Sequence, residues 1–512
     1  MNWTRLACRL VFMLSSPFPA TASCLPSSTP EAEGIPSSAV LNWIDACERE
    51  IDSVHGFVLL RHGRLIAEGY WAPFSRDDTH MLYSHSKSFT SAAVGLLVDD
   101  GRLDLDEAVA DFFPDKLPPN PSPGLLAMRV RDLLTMASGH DRDFIHDTCA
   151  APDGDWLRHF FNQPLSCKPG TRYVYNTTGV YVLGAIVEQR AGEPLMDFLE
   201  KRLFSRIGIV GAWSTHCPKG HAVAGYGMNM RVRDLARFGQ ILLQKGVWRG
   251  ERVLSEDWVT LATAKQIAQG PHPNPDWGEG YGFQFWRCVP HGVYRADGAL
   301  GQFTIVMPDQ DAVLSMVSRT EDTQRELAIV WETLLPAMGP TPLPPDPAAK
   351  AALDRRCASL RLRPVEGAAR GCGSAVGRIF ALASNERGVE WLRLDGAGDG
   401  WRITWRNRIG EQSVPLGRDR WEKDARVTID DTPWAALRAV VGERKAAGSG
   451  AWVADDTFHG RIVFYDGVAF IDFTLHFVAE RVDVDVCLAL KEVLEFKLSG
   501  TADLSENGKD LK

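Results

Sequence analysis

The chain has 512 residues, 45% apolar and 24% charged, the balance of an ordinary globular protein with material for about two to three domains. A net charge of −9 without a long basic run argues against a nucleic-acid partner. The ten cysteines form no Cys-x-x-Cys, which argues against a zinc knuckle or redox pair, and beyond the N-terminus no stretch approaches the roughly 20 apolar residues of a membrane span.

In chain order, Arg5 and Arg9 precede "LVFMLSSPFPATAS", a short apolar stretch ending in Ala20-Thr21-Ala22 and interrupted by Pro17 and Pro19. Residues 1–24 thus resemble an export signal, with a disordered leader as the alternative, so a periplasmic or secreted location is expected and a cytoplasmic one stands beside it. "PSSAVLNWIDACEREID" reads as a serine-capped helix, because Val40, Ile44, Cys47 and Ile51 recur at spacings of 4, 3 and 4. Two apolar runs around His62-Gly63 predict a β-hairpin whose glycine takes the positive φ of the turn. From Ser84 to about Asp99 the helical period returns, and Gly101 closes it. Helices and loops dominate to about residue 265. Strand patterns then resume in "YGFQFWRC", "QFTIVMP" and "AVLSMVS", followed by the helix "EDTQRELAIVWETLL".

Strands from both ends with helices between predict one antiparallel sheet flanked by terminal helices, with the middle of the chain as a helical insertion over residues 25–337. "PAMGPTPLPPDPAAK" is proline-rich and reads as part of a linker over 338–364, unable to extend a helix or sheet. Short alternating strands separated by Gly and Asp turns then predict a small β-barrel or sandwich over 365–504, and 505–512 reads as a disordered tail. Cys149 and Cys167 could bridge a loop, with buried free thiols the preferred reading.

The chemistry starts at "LYSHSKSFTS", which holds the single Ser-x-x-Lys of the chain, Ser84 to Lys87. A serine hydroxyl needs a nearby base, and positions i and i+3 share a helix face, so Lys87 can reach Ser84 if its amine is neutral. His85 diverges from Ser84 and reads as structural or exposed. In "KPGTRYVYNTTGVYVLG", Tyr175 could relay a proton if a cation lowers its pKa. The plainer reading is a buried tyrosine over a helix start capped by Thr177 or Thr178. Asn176-Thr177-Thr178 also matches the glycosylation sequon. In "RADGALGQFTIVMP", Gly298 and Gly301 let a ligand approach the backbone, and the strand edge can offer an N–H to an oxyanion together with that of Ser84.

The order of these elements resembles the serine β-lactamase-like hydrolases: class C β-lactamases, D-alanyl-D-alanine carboxypeptidases, family VIII esterases and 6-aminohexanoate-dimer hydrolases. "PEAEGIPSS", "VRDLLTMASGH" and "RVRDLARFGQILLQKGVWRGERVLS" add to it. The resemblance implies an α/β catalytic domain with Ser84 as acylated nucleophile, Lys87 as its base partner and Tyr175 as the family tyrosine. Ser84 and Ala299 would supply the oxyanion N–H groups, with Gly298, Asn176 and Thr177 on the substrate side. No cofactor or metal is expected, a small ester or amide is the expected substrate, and a homodimer is left open. The family's Tyr-Ser-Asn reads Tyr175-Asn176-Thr177 here, and its Lys/His-Thr-Gly reads Ala296-Asp297-Gly298, so the cation is missing. Acyl transfer is therefore expected, with little β-lactam turnover. A penicillin-binding or sensor-type protein acylated without turnover is the alternative. The C-terminal strands resemble a lipocalin-like domain.

Overall fold

The computed structural model describes residues 25–429, 442–489 and 493–502. The leader and the tail read from the sequence lie outside these residues.

A six-stranded sheet runs in the order Arg64–Tyr70, Ser53–Arg61, Ala312–Arg319, Gln302–Met307, Tyr294–Gly298, Trp286–Arg287, every pairing antiparallel. The first hairpin turns at His62 (φ 49°) and Gly63 (φ 72°), both left-handed, as a two-residue turn matched to strand twist requires. Period-two alternation divides the strands between two cores. Phe57, Leu59, Phe303, Ile305, Leu314 and Met316 face a layer built from the terminal helices Ser37–Glu50 and Thr323–Ile329, through Val40, Trp43, Ile44 and Leu327. Val58, Leu60, Val306, Val313 and Val317 face the helical insertion, including Ser86–Asp99, Thr177–Ala191 and Val232–Leu243. A methyl group on Gly239 would lie 2.5 Å from Val313, so the last of these helices needs that glycine to lie close on the sheet.

Two local expectations are corrected. The first helix has no serine side-chain cap; its cap position is Pro36, and the buried Glu31 carboxylate accepts the Ser37 N–H at 2.7 Å. Within the proline-rich segment, Pro347–Ser359 is a helix. Pro347 occupies the first turn, where no N–H bond is lost, and the Asp346 side chain accepts the Ala349 N–H at 2.9 Å. Leu353 and Leu360 bury themselves in the terminal-helix layer. Each such side chain contributes about 1.5–3 kcal/mol. A chain ending at residue 345 should therefore melt roughly 5–10 °C below one ending at residue 364, or fail to stay soluble. Equal thermal midpoints for the two would show that the segment is a mere connector.

Beyond residue 365, nine strands close into a barrel: Ile379–Leu382, Trp391–Ala397, Gly400–Asn407, Gly410–Gly417, Gly442–Ala454, Thr457–Phe464, Phe470–Val478, Arg481–Ala489 and Val493–Ala502. Closure comes from the parallel pairs Leu416↔Gly448 and Gly417↔Ser449, and Glu422–Ile429 adds to Gly442–Ala454. The barrel docks on the segment leading to Ser84. Phe74 packs with Ala447, Val463 and Tyr465, and Lys423 Nζ lies 3.2 Å from Asp78.

Candidate active site

The segment carrying Ser84 is fixed from both sides. His80–Met81 pairs with Met228–Met230, and the Leu82 N–H donates to the Met228 carbonyl at 3.0 Å. The chain then turns through Tyr83, whose φ of 47° is left-handed for a bulky residue and costs about 1–3 kcal/mol. The Ser86 hydroxyl holds that turn, donating to Tyr83 O at 2.7 Å and accepting the Met228 N–H at 3.1 Å. Ser84 thus sits in a 3-10 turn immediately before the helix Ser86–Asp99.

Lys87 is 1% exposed, and its Nζ donates to Ser84 Oγ at 2.9 Å and to the Gly225 carbonyl at 2.6 Å. The same Nζ lies 4.9 Å from the centroid of the Tyr175 ring, and Tyr175 lines the same cavity as Ser84. Ser84, Lys87 and Tyr175 are therefore brought together. The expected effect on the phenol is reversed, however. Burial pushes the Tyr175 hydroxyl well above the usual phenol range, against the opposing influence of Ser84, so it stays protonated at neutral pH.

The other sequence candidates separate. Ala299 and Thr177 line the cavity in front of Ser84. Thr177 donates its N–H and hydroxyl to the Asp143 carboxylate at 3.1 and 2.7 Å. Asn176, 1% exposed, is the helix cap in place of Thr177 or Thr178; its Oδ1 accepts the Gly179 N–H at 3.1 Å. It does not line the cavity, and its burial leaves the sequon no room for a glycan. Gly298 serves a backbone rather than a ligand, since a Cβ there would lie 2.1 Å from the Leu82 carbonyl. His85 is fully buried, not exposed, and burial pushes it down to about 3. Cys149 and Cys167 are free thiols.

Residues two apart share a strand face, so Arg295 and Asp297 lie together, joined at 2.8 Å, while Ala296 points into the core with Tyr294 and Val306. The buried guanidinium stacks 4.4 Å from Trp277 and 5.6 Å from Trp286, both of which line the cavity. Burial raises the Asp297 carboxyl, with Arg295 pulling the other way.

The cavity measures about 430 Å³ and is walled by Tyr83, Tyr226, Trp277 and Trp286, with Asp143, His146 and Asp297 as polar points. The reading of the sequence missed Asp143, Tyr226 and the two tryptophans. The aromatic and glycine-rich "DWGEGYGFQFW" and "AGYGMNM" were the available signals. Nucleophile, amine, phenol and an aromatic cleft form a constellation suited to acyl transfer on an apolar substrate.

The Beta-lactamase family model matches residues 44–337. The chain is similar to 6-aminohexanoate-dimer hydrolase of Paenarthrobacter ureafaciens, 29% identical over 286 residues, 52% of this chain and 72% of that protein. It is also 29% identical to lovastatin esterase of Penicillium rubens over 216 residues, 34% of this chain and 54% of that one. Its fold resembles that of a solved Bacillus anthracis protein provisionally assigned as a 6-aminohexanoate-dimer hydrolase, with a TM-score of 0.52 and 20% identity over 63% of this chain and 89% of the other.

Proposed function

The chain belongs to the Beta-lactamase family and is a serine hydrolase, and from that premise we propose that it cleaves a small ester or amide through an acyl-enzyme on Ser84. The observation that carries the reading is Lys87 Nζ at 2.9 Å from Ser84 Oγ, with the Tyr175 ring 4.9 Å from the same Nζ in the cavity that Ser84 lines.

In this reaction Lys87, as the free amine, takes the Ser84 proton while Oγ bonds to the substrate carbonyl. The N–H groups of Ser84 and Ala299 receive the oxyanion. Tyr175 gives its proton to the leaving alcohol or amine and is replenished from Lys87. Water then attacks the acyl-enzyme by the reverse proton path, releasing the acid and restoring Ser84. The names of the two relatives, one a hydrolase of a 6-aminohexanoate dimer and one an esterase, are in keeping with this substrate class.

The lining supports uncharged substrates over β-lactams. Its described residues include Asp143 and Asp297 and no lysine or arginine, and Arg295 is already committed to Asp297. A lactam carboxylate in this cleft would meet two acidic groups without a fixed cation. The kcat/KM for p-nitrophenyl butyrate is expected to exceed that for a chromogenic cephalosporin by at least about tenfold at one pH. A cephalosporin value above the ester value overturns the preference. A single stoichiometric burst without turnover on every ester and amide tried would instead indicate a protein that is acylated and not released.

A further inference from the structure

A second cavity, larger at about 770 Å³, lies where the six-stranded sheet meets the barrel and shares none of the Ser84 cleft's residues. Its deepest charged group is Arg319, the last residue of the strand Ala312–Arg319, only 6% exposed. Its guanidinium lies 5.3 Å from the ring of Phe470, a barrel residue. Among the described residues its carboxylate neighbour is Glu321, at 3.9 Å, too long for a hydrogen bond, and the Glu321 side chain is 72% exposed. That guanidinium makes no hydrogen bond to a described residue, so its N–H donors are open to a ligand in the cavity.

The surroundings repeat the theme. Arg461 lies 5.6 Å from the same Phe470 ring, held there by Asp472, and the exposed Arg361 and Arg363 line the same cavity. Of the other acidic wall residues, Asp52 is exposed, and Glu48 is already engaged by Trp71 Nε1 and Arg356. In a chain of net charge −9, arginines gathered around an apolar and aromatic hollow mark an anion-binding chemistry.

We propose that this cavity binds a small organic oxyanion, a carboxylate or phosphate on an apolar or planar body, with the oxyanion on Arg319 and the body against Phe470 and Trp421, which also lines the cavity. Arg319 supplies a planar fork that a bidentate oxyanion matches. The ring supplies the surface that a hydrated inorganic ion does not use.

Isothermal titration of the full chain with sodium benzoate, phenyl phosphate and inorganic phosphate, at ionic strength held constant with chloride, tests this. Saturable binding of benzoate or phenyl phosphate is expected, the stronger of the two naming the oxyanion, with inorganic phosphate weaker than either. Arg319→Gln should weaken the stronger probe at least tenfold, and Arg363→Ala, at an exposed position, about threefold. Should Arg319→Gln fail to fold, Arg319→Lys is read in its place, and a fivefold loss is expected because charge is kept and the fork is lost. Absence of saturable binding by both organic probes, inorganic phosphate binding as tightly as they do, or unchanged affinity in the Arg319 variant overturns the proposal.

Discussion

Ser84→Ala is expected to abolish hydrolysis, with kcat on any accepted ester or amide falling at least roughly 10⁴-fold. A fluorophosphonate probe should label the wild-type chain at one site, on the peptide containing Ser84, and leave the variant unlabelled. The reason is positional. Ser84 is the residue at which the left-handed Tyr83 turn, the Lys87 amine and the Tyr175 ring converge. The change removes a single oxygen from a turn held by Ser86 rather than by Ser84, so the fold should be retained. Labelling or turnover that persists in a folded Ser84→Ala protein would sink the assignment of the nucleophile.

Lys87→Ala should cost about 10³–10⁴ in kcat, because the unassisted hydroxyl is barely nucleophilic. Tyr175→Phe should cost about 10², since it keeps the ring against Trp286, 5.8 Å between centroids, and removes only the proton relay. The pH dependence separates relay from base. A hydroxyl whose pKa is raised by burial remains protonated through neutral and mildly alkaline pH, and ionises only above the ordinary phenol value near 10. The wild-type kcat/KM profile should therefore show no descending limb from Tyr175 below about pH 10. A limb between pH 7 and 9 that vanishes in Tyr175→Phe would mean the phenol ionises there, and the proton-donor role would fail. Full activity of Tyr175→Phe on every substrate would reduce the tyrosine to packing.

Much of the scaffold was legible because it is encoded in short periods. The spacing of Val40, Ile44 and Cys47 matches the helix Ser37–Glu50, with Ile51 as its C-cap, and His62-Gly63 sits at the turn it predicts. The alternation in "GRIVFYDGVAFIDFTLHFV" became two neighbouring barrel strands. The proximity of Ser84 and Lys87 needed only the rise and turn of one helical start. In the proline-rich segment composition alone points to a connector, whereas position decides for a helix. Pro347 breaks a helix in its interior and suits one at its first turn.

Most of the elements, the pairing of Ser84 with Lys87 and the absence of a cation at Ala296 follow from neighbours within a few residues of the chain. Tertiary structure alone decided what surrounds them. It raised the Tyr175 hydroxyl instead of lowering it, because desolvation is set by residues such as Trp286, distant in sequence. It sent Asn176 into a cap bond and left Thr177 on Asp143, a choice of backbone direction that the Asn-Thr-Thr triplet does not carry. It joined Arg295 to Asp297 behind two tryptophans, and it closed a second, arginine-lined cavity between sheet and barrel. Burial and charge pairing are properties of three-dimensional neighbourhoods, and a linear pattern records only the residues that enter them.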